Sequence, residues 1–182
     1  MVLSATLFES SNFFALFSLP SGWQIDRGLL DARYRKLQQE FHPDRFASKG
    51  DVDKRLALQT TSLINQAYET LKSPLKRAQY LLELEDLDAA QESHITSDGQ
   101  FLMQQIEFRE TLGDLNETAD PITALDTMRR DVQSQYLQLQ NDFEAQHLAG
   151  NYTDALDTVA KMQFFSKLLD EIDQREEELE DF

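Results

Sequence analysis

The sequence predicts an all-α protein made of two helical modules. Only four prolines and six glycines interrupt the 182 residues, and apolar residues between them recur every three or four positions rather than every second one. Charge is unevenly divided. Through Tyr80 there are 11 basic and 8 acidic residues, or +3, whereas the remaining 6 basic and 25 acidic residues give −19. This division suggests modules with different partners, although acidic helices can also simply maintain solubility.

The first module should contain two long amphipathic helices. Asp26 is a suitable N-cap for a helix running to about Phe41, and a second helix should run from about Asp53 to Lys72, where Ser73-Pro74 stops or redirects it. The apolar stripes are Leu30, Tyr34, Leu37 and Phe41 on the first helix, and Leu56, Ile64, Ala67, Tyr68 and Leu71 on the second. We expect the two helices to pack as an antiparallel hairpin.

Shorter segments flank this hairpin. An apolar helix is expected from Asn12 to Phe17, followed by a turn at Leu19–Gly22. After Pro74 the pattern stays helical through Leu87, and the polar stretch Asp88–Ser97 is expected to connect the modules.

Three further helices should form the second module. They are expected near Ser97–Leu115, Pro121–Leu148 and Tyr152–Leu179, with joints at Asn116–Asp120 and Ala149–Asn151. Short joints favour an antiparallel three-helix bundle.

Composition excludes several kinds of function. Without cysteine there is no disulfide framework and no thiolate metal site. Apolar runs are too short for a membrane-spanning helix, and the acidic half lacks the clustered basic residues that nucleic acid requires. No basic residue precedes Arg27, so we expect neither a secretory signal nor a transit peptide.

The tripeptide His42-Pro43-Asp44 follows the first long helix. Proline fixes its own φ and restricts the residue before it, so the loop is stiff and can present an imidazole and a carboxylate to a partner. Basic residues on the same helix lie off the apolar stripe: Arg33, Arg35 and Lys36. By itself the tripeptide could be an ordinary helix stop.

The surrounding residues resemble the J domain of DnaJ-type co-chaperones. They are Asn12–Leu19, Tyr34–Leu37 before the tripeptide, Ile64–Leu71 and Lys76–Tyr80. The resemblance implies that the basic helix and His42-Pro43-Asp44 dock on a DnaK-type chaperone, where Asp44 engages an arginine and promotes ATP hydrolysis by the partner. Asn12-Phe13-Phe14 departs from the family, which usually has an acidic residue and two tyrosines there.

An enzymatic role for His42 has little support. The other histidines, His94 and His147, lie in a connection and near a helix end, without the spacing of a metal site. No Gly-rich phosphate loop or nucleophile elbow is present. We therefore expect no catalytic residues, no metal and no cofactor.

The helix from Ser97 has two apolar faces. Its core face should hold Phe101, Phe108, Leu112 and Leu115. A second face combines three apolar residues with three acidic ones: Leu102, Met103, Ile106, Glu107, Glu110 and Asp114. In the last helix the core stripe is Ala155, Val159, Met162, Phe165 and Leu169, and Phe164 points away from it. These outward residues could bind a partner or pack against the linking helix or the first module.

Almost the whole chain resembles the HscB family of iron–sulfur-cluster co-chaperones. The resemblance rests on Phe101–Glu110, Met162–Leu168 and the closing Asp181-Phe182. It implies that the J domain stimulates the chaperone HscA while the C-terminal bundle binds the cluster scaffold IscU through Leu102, Met103, Ile106, Glu107, Glu110, Asp114 and Phe164. The expected divisions are an extension (1–10), a J domain (11–80), a connecting segment (81–96) and the bundle (97–182).

The leading interpretation is an adaptor that delivers the scaffold to the chaperone and binds no cluster itself. A bacterial cytoplasmic location is expected, because the chain lacks the cysteine-rich segment or presequence of organellar relatives. The nearest alternative is a J-domain co-chaperone that serves another client of a general DnaK-type chaperone. A purely structural or inhibitor-like helical protein is a more distant alternative.

Overall fold

The computed structural model describes residues 12–46, 49–89, 98–115 and 118–180. These ranges contain seven α-helices and a 3-10 turn and hold no β-strand, which confirms the all-α class. The helices are α1 (Phe13–Leu16), α2 (Arg27–Phe41), α3 (Asp51–Lys72), α4 (Pro74–Glu83), α5 (Gly99–Gly113), α6 (Pro121–Leu148) and α7 (Tyr152–Glu180). The extension 1–10, residues 90–96 of the connecting segment 81–96, the joint residues 116–117 and Asp181-Phe182 lie outside the described residues.

Backbone contacts divide the chain between Leu81 and Leu82 into two compact units. In the first unit, α2 and α3 form a side-by-side pair. The rings of Tyr34 and Tyr68 stack with centroids 3.9 Å apart, and Tyr34 Oη donates to Asn65 Oδ1 at 3.1 Å. Further along, Thr61 Oγ1 donates to the Phe41 carbonyl at 2.9 Å. Residues later in α2 contact residues earlier in α3, so the two helices are antiparallel.

The core of the first unit lies between this hairpin and its flanking helices. Leu30, Ile64 and Leu71 are fully buried, and Phe41 is nearly so, whereas Tyr34, Leu37, Leu56 and Tyr68 are half-buried. Helix α4 packs through Tyr80, whose ring stacks on Phe13 at 4.5 Å. The predicted apolar stripes therefore face the core, although their polar or peripheral members remain at its edge.

Trp23, the single tryptophan of the sequence, is buried in the first unit. The guanidinium of Arg77 lies 4.6 Å from the centre of its ring and donates to the Leu71 carbonyl at 2.7 Å. A cation over the face of an indole is attracted by the ring quadrupole. This contact fastens α4 to the loop between α1 and α2.

In the second unit, α6 and α7 run antiparallel. Helix α6 ends in a Schellman motif: Gly150 has φ 70°, and the N–H groups of Gly150 and Asn151 donate to the carbonyls of His147 and Gln146. Glycine adopts this left-handed conformation without a Cβ penalty. The chain then reverses into α7, where Arg129 of α6 pairs with Asp173 and Glu176.

Helix α5 completes the three-helix bundle. Asp98, just before its start, pairs with Lys161, and Arg109 further along pairs with Glu171, so α5 runs parallel to α7 and therefore antiparallel to α6. Phe101 and Phe108 both contact Phe165, at 5.8 and 5.9 Å between ring centroids, and Gln104 bonds to Gln135. The buried core residues are Phe101, Leu115, Leu125, Met128, Val132, Phe165, Leu168 and Ile172. Phe108, Leu112 and Leu169 pack against this core from its edge.

Several helix ends differ from the sequence-based expectations. Helix α4 ends at Glu83 rather than Leu87, because Asp86 takes a left-handed φ of 60° while the Leu87 N–H returns to the Leu82 carbonyl. No glycine marks this stop, and aspartate can adopt the left-handed region in its place. Asn12 and Asp98 are N-caps, which shortens α1 and α5 at their starts. Helix α3 begins two residues earlier than expected, at Asp51.

Candidate functional site

His42-Pro43-Asp44 lies where α2 ends and a 3-10 turn, Pro43–Phe46, begins. The backbone is fixed from both sides, because the Arg45 N–H donates to the His42 carbonyl at 3.0 Å and the Arg45 guanidinium donates to the Gln39 carbonyl at 2.9 Å. The Asp44 side chain is 90% exposed and that of His42 is 53% exposed. A rigid turn thus presents a carboxylate to solvent.

The His42 ring is oriented by its own loop. The Asp44 N–H donates to His42 Nδ1 at 3.3 Å, and the Asp44 carboxylate lies 3.5 Å from the same nitrogen. The Nδ1 side of the imidazole is therefore held against its own loop.

The three basic residues of α2 have different surroundings. The Arg33 guanidinium is half-buried and donates to the carbonyls of Phe17 and Ser18, at the end of α1. Arg35 and Lys36 are exposed, and their side chains form no ion pair or hydrogen bond with any described residue. The expected cationic surface therefore has two freely accessible charges, while the third is held in place by α1.

The predicted outward face of α5 is exposed. Leu102, Met103 and Ile106 are 40%, 60% and 50% exposed. The carboxylates of Glu107, Glu110 and Asp114 are also exposed. Among the described residues, none of these carboxylates has an ion-pair or hydrogen-bond partner. We call these six residues the α5 face: an apolar strip bordered by available negative charge.

Phe164 is less outward than its helical position indicated. It is half-buried, and its ring stands edge-on to Phe101 at 5.5 Å and to Phe165 at 5.4 Å. The expectation from a single helix omitted the neighbour that α5 supplies. Phe164 therefore packs at the rim of the bundle core with part of its ring still accessible.

The residues singled out from the sequence fall into two sets on different units. The first unit carries His42-Pro43-Asp44 and the basic residues of α2, and the second carries the α5 face together with Phe164. Within the described ranges, no three His, Asp or Glu residues are grouped as metal ligands would be, and no helix is long and apolar enough to cross a membrane.

A groove of about 630 Å³ runs beside the α5 face. Its principal lining residues are Phe101, Met103, Gln104 and Glu107 of α5, Gln135, Gln138 and Leu139 of α6, and Lys161 and Phe165 of α7. Gln104 Nε2 donates to Gln135 Oε1 at 2.8 Å across it. Sequence reasoning missed this groove, and the available signal was only the three-residue spacing of Gln135 and Gln138.

One end of the groove is closed by charge pairs. Asp98 accepts hydrogen bonds from the N–H groups of Gln100 and Phe101, and Lys161 Nζ lies 2.8 Å from Asp98 and 3.1 Å from Asp157. The Lys161 hydrogen bond, aided by the cap, lowers the pKa of Asp98 below its ordinary 3.8. Burial opposes the charge of Lys161, but the hydrogen bonds that it donates to both carboxylates outweigh this effect and raise the Lys161 pKa above 10.5.

The lowered pKa of Asp98 predicts an acid-side loss of stability. Asp98 holds its proton more weakly in the folded chain than in the unfolded one, so its contribution is complete above pH 3.8 and is lost as pH falls through the folded pKa. We expect Asp98→Asn to lower the urea midpoint of unfolding at neutral pH. The difference between the midpoints at neutral and acid pH should also be smaller for the variant than for the parent chain. Circular dichroism would measure both, with Asp170→Asn of α7 as the control. An unchanged midpoint for Asp98→Asn would contradict this role.

Known proteins resemble both units. A family model described as "HSCB C-terminal oligomerisation domain" matches residues 97–173, and one described as "DnaJ domain" matches residues 18–80. The "Co-chaperone protein HscB homolog" of Aeromonas salmonicida is 41% identical over 168 residues, covering 92% of this chain and 98% of the relative. That of Photobacterium profundum is 39% identical over 166 residues, with 91% and 97% coverage. The structure of "Chaperone HscB from Vibrio cholerae" aligns with a TM-score of 0.84 and 36% identity, covering 92% of this chain and 99% of that one.

Proposed function

The chain belongs to the HscB family of J-domain co-chaperones of DnaK-type chaperones, and on that premise we propose that it delivers the iron–sulfur cluster scaffold IscU to the chaperone HscA. It stimulates the HscA ATPase through His42-Pro43-Asp44 and holds IscU through the α5 face and Phe164. HscA supplies the ATP site, and IscU carries the cluster. Assembly and transfer of clusters are therefore assisted without a catalytic group in this chain.

The α5 face is the observation that carries the client side of the proposal. Leu102, Met103 and Ile106 expose apolar surface in a helix whose other side already fills the bundle core. Burying such a strip against a partner is favourable, and the surrounding carboxylates discriminate among partners by charge. A basic and apolar surface on IscU is the complement.

The chaperone side rests on the exposed loop and its basic helix. Asp44 is the accessible anion at the end of a fixed turn, and Arg35 and Lys36 are accessible cations about two helical turns before it. Arg33 adds a third charge from its tethered position. Separate patches of opposite sign steer and orient a partner of complementary charge.

The same proposal places the activity in the bacterial cytoplasm, because the cited relatives come from bacteria and are named as co-chaperones. Their names also favour assistance to a chaperone over an enzymatic activity of the chain itself. A co-chaperone serving another client of a general DnaK-type chaperone would use the same loop and would differ in what the α5 face binds.

Purified HscA and IscU provide the test. We expect the chain to stimulate ATP hydrolysis by HscA and to bind IscU in calorimetry. Raising the salt concentration should reduce the stimulation more than the IscU affinity, because the chaperone contact is mostly ionic and the scaffold contact mostly apolar. If the chain stimulates HscA but does not bind IscU, it is a co-chaperone that serves another client. If salt weakens both interactions equally, the chaperone contact is not more ionic than the scaffold contact, and the proposal is wrong on that point.

A further inference from the structure

We propose that the groove between α5 and α6 is a second part of the client site, which binds an extended polypeptide segment of the scaffold while the α5 face binds its folded surface. This inference rests on the proposed function, because it extends the same client contact. The occupant is an extended segment that carries an apolar side chain and a basic one near each other. Each part of that description comes from the lining of the groove.

The groove is continuous with the α5 face. Met103 and Glu107 belong to both, since they line the groove and stand on the exposed side of α5. On the opposite side of the helix, Arg109 reaches toward Glu171 of α7 at 4.0 Å. A client seated on Leu102 and Ile106 therefore extends over the ridge of α5 and meets the groove on its α6 side.

The polar lining suits peptide backbone. Gln104 and Gln135 each offer a carboxamide, which can donate and accept, and they now bond to each other at 2.8 Å. An occupant that displaces this bond must supply both a donor and an acceptor, or it leaves polar groups unsatisfied. An extended peptide presents N–H and C=O groups sideways, whereas a helix satisfies its own along its length. The glutamines therefore favour an extended segment.

The apolar lining and the free charge indicate which side chains the segment carries. Phe101 and Phe165 are buried at the floor, and Leu139 is half-buried beside them, so an apolar side chain finds contact there. Glu107 has no ion-pair partner among the described residues, whereas Asp98, at the closed end, is occupied by Lys161. A cation is thus attracted at Glu107 and not at the closed end.

The groove can be blocked without altering the α5 face. Gln138 is an exposed residue of the lining, and Gln138→Trp would place an indole in the groove. Gln133 is also exposed on α6 but lies outside the groove, so Gln133→Trp is the matched control. In calorimetry with purified IscU, we expect Gln138→Trp to raise Kd about tenfold or more and Gln133→Trp to leave it within about threefold. Far-UV circular dichroism verifies that both variants are folded.

A smaller change tests the hydrogen bonds themselves. Gln135→Ala removes one carboxamide without adding bulk and should raise Kd for IscU about threefold to tenfold. In nitrogen-15 NMR spectra of the parent chain, the side-chain NH2 signals of Gln104 and Gln135 should shift when IscU is added. These signals remain informative even if the tryptophan variant folds poorly.

The outcomes separate this inference from the proposed function. If the parent chain does not bind IscU, the proposed function fails. If the parent binds, and Gln138→Trp and Gln135→Ala bind as tightly as Gln133→Trp with unmoved glutamine signals, the groove is overturned and the proposed function stands. Self-association of the chain that Gln138→Trp abolishes in sedimentation would make a second copy the occupant and would also overturn the inference.

Discussion

Asp44→Asn is expected to return the chaperone ATPase to its basal rate while leaving the affinity for IscU unchanged. Asparagine has the size of aspartate but no charge, so the change removes the ability to pair with a chaperone arginine. Loss of one partner from a buried interfacial charge pair costs about 2–5 kcal/mol, which corresponds to about thirtyfold or more in affinity. Steady-state ATP hydrolysis as a function of co-chaperone concentration measures the loss.

The fold should tolerate this substitution. The Asp44 side chain is 90% exposed, and its carboxylate lies 3.5 Å from His42 Nδ1 of the same turn. Asp51→Asn is the matched control, because Asp51 is a similarly exposed aspartate a few residues later, whose one ion-pair partner among the described residues is Lys54, at 4.0 Å. Stimulation retained by Asp44→Asn would remove the loop from the mechanism, and stimulation lost by both variants would mean that general negative charge, rather than position 44, is required.

Leu102→Ala combined with Phe164→Ala is expected to weaken IscU binding by about 2–4 kcal/mol, or about thirtyfold to a thousandfold in Kd. Both side chains are large, apolar and accessible on the second unit, and residues with these properties often dominate interface energies. Calorimetry with purified IscU measures the effect. Stimulation of the chaperone in the absence of scaffold should persist, since the loop lies on the first unit.

The surroundings of Phe164 determine the design of this experiment. Because its ring packs on Phe101 and Phe165, Phe164→Ala also removes core contacts and lowers stability. Leu102→Ala with Ile106→Ala is the cleaner pair, since both side chains are exposed. Leu137→Ala, at a residue of α6 that is 59% exposed, is the control. If the Leu102 and Ile106 pair retains full affinity while folded, the α5 face is not the client site.

The sequence was informative wherever one helix determines the outcome. Spacing within α5 alone separates Phe101 and Phe108 from Leu102 and Ile106, and the structure has the first pair in or against the core and the second exposed. The end of α6 was also predictable, since Gly150 marks its Schellman motif. Local chemistry and helical period were sufficient for these features.

Features that depend on two or more elements could not be predicted in the same way. Arg33 had the spacing of a free surface cation, but the carbonyls that hold it directly follow α1, more than a dozen residues earlier. Phe164 had the position of an outward ring, but α5 supplies a neighbour. The groove requires three helices, and its glutamines have no distinctive pattern in any one of them. When site residues are predicted from a resemblance, their contacts with neighbouring helices are needed to tell which side chains are free to bind a partner and which pack within the fold.

The buried position of Trp23 has an optical consequence. Because this indole lies against Arg77 in the first unit and is the only one in the sequence, emission excited at the red edge of protein absorbance originates in that unit alone. Helical ellipticity, in contrast, is contributed by both units. Denaturation curves recorded by the two signals therefore follow different parts of the chain, and any difference between their midpoints measures directly how far the units depart from a single cooperative transition.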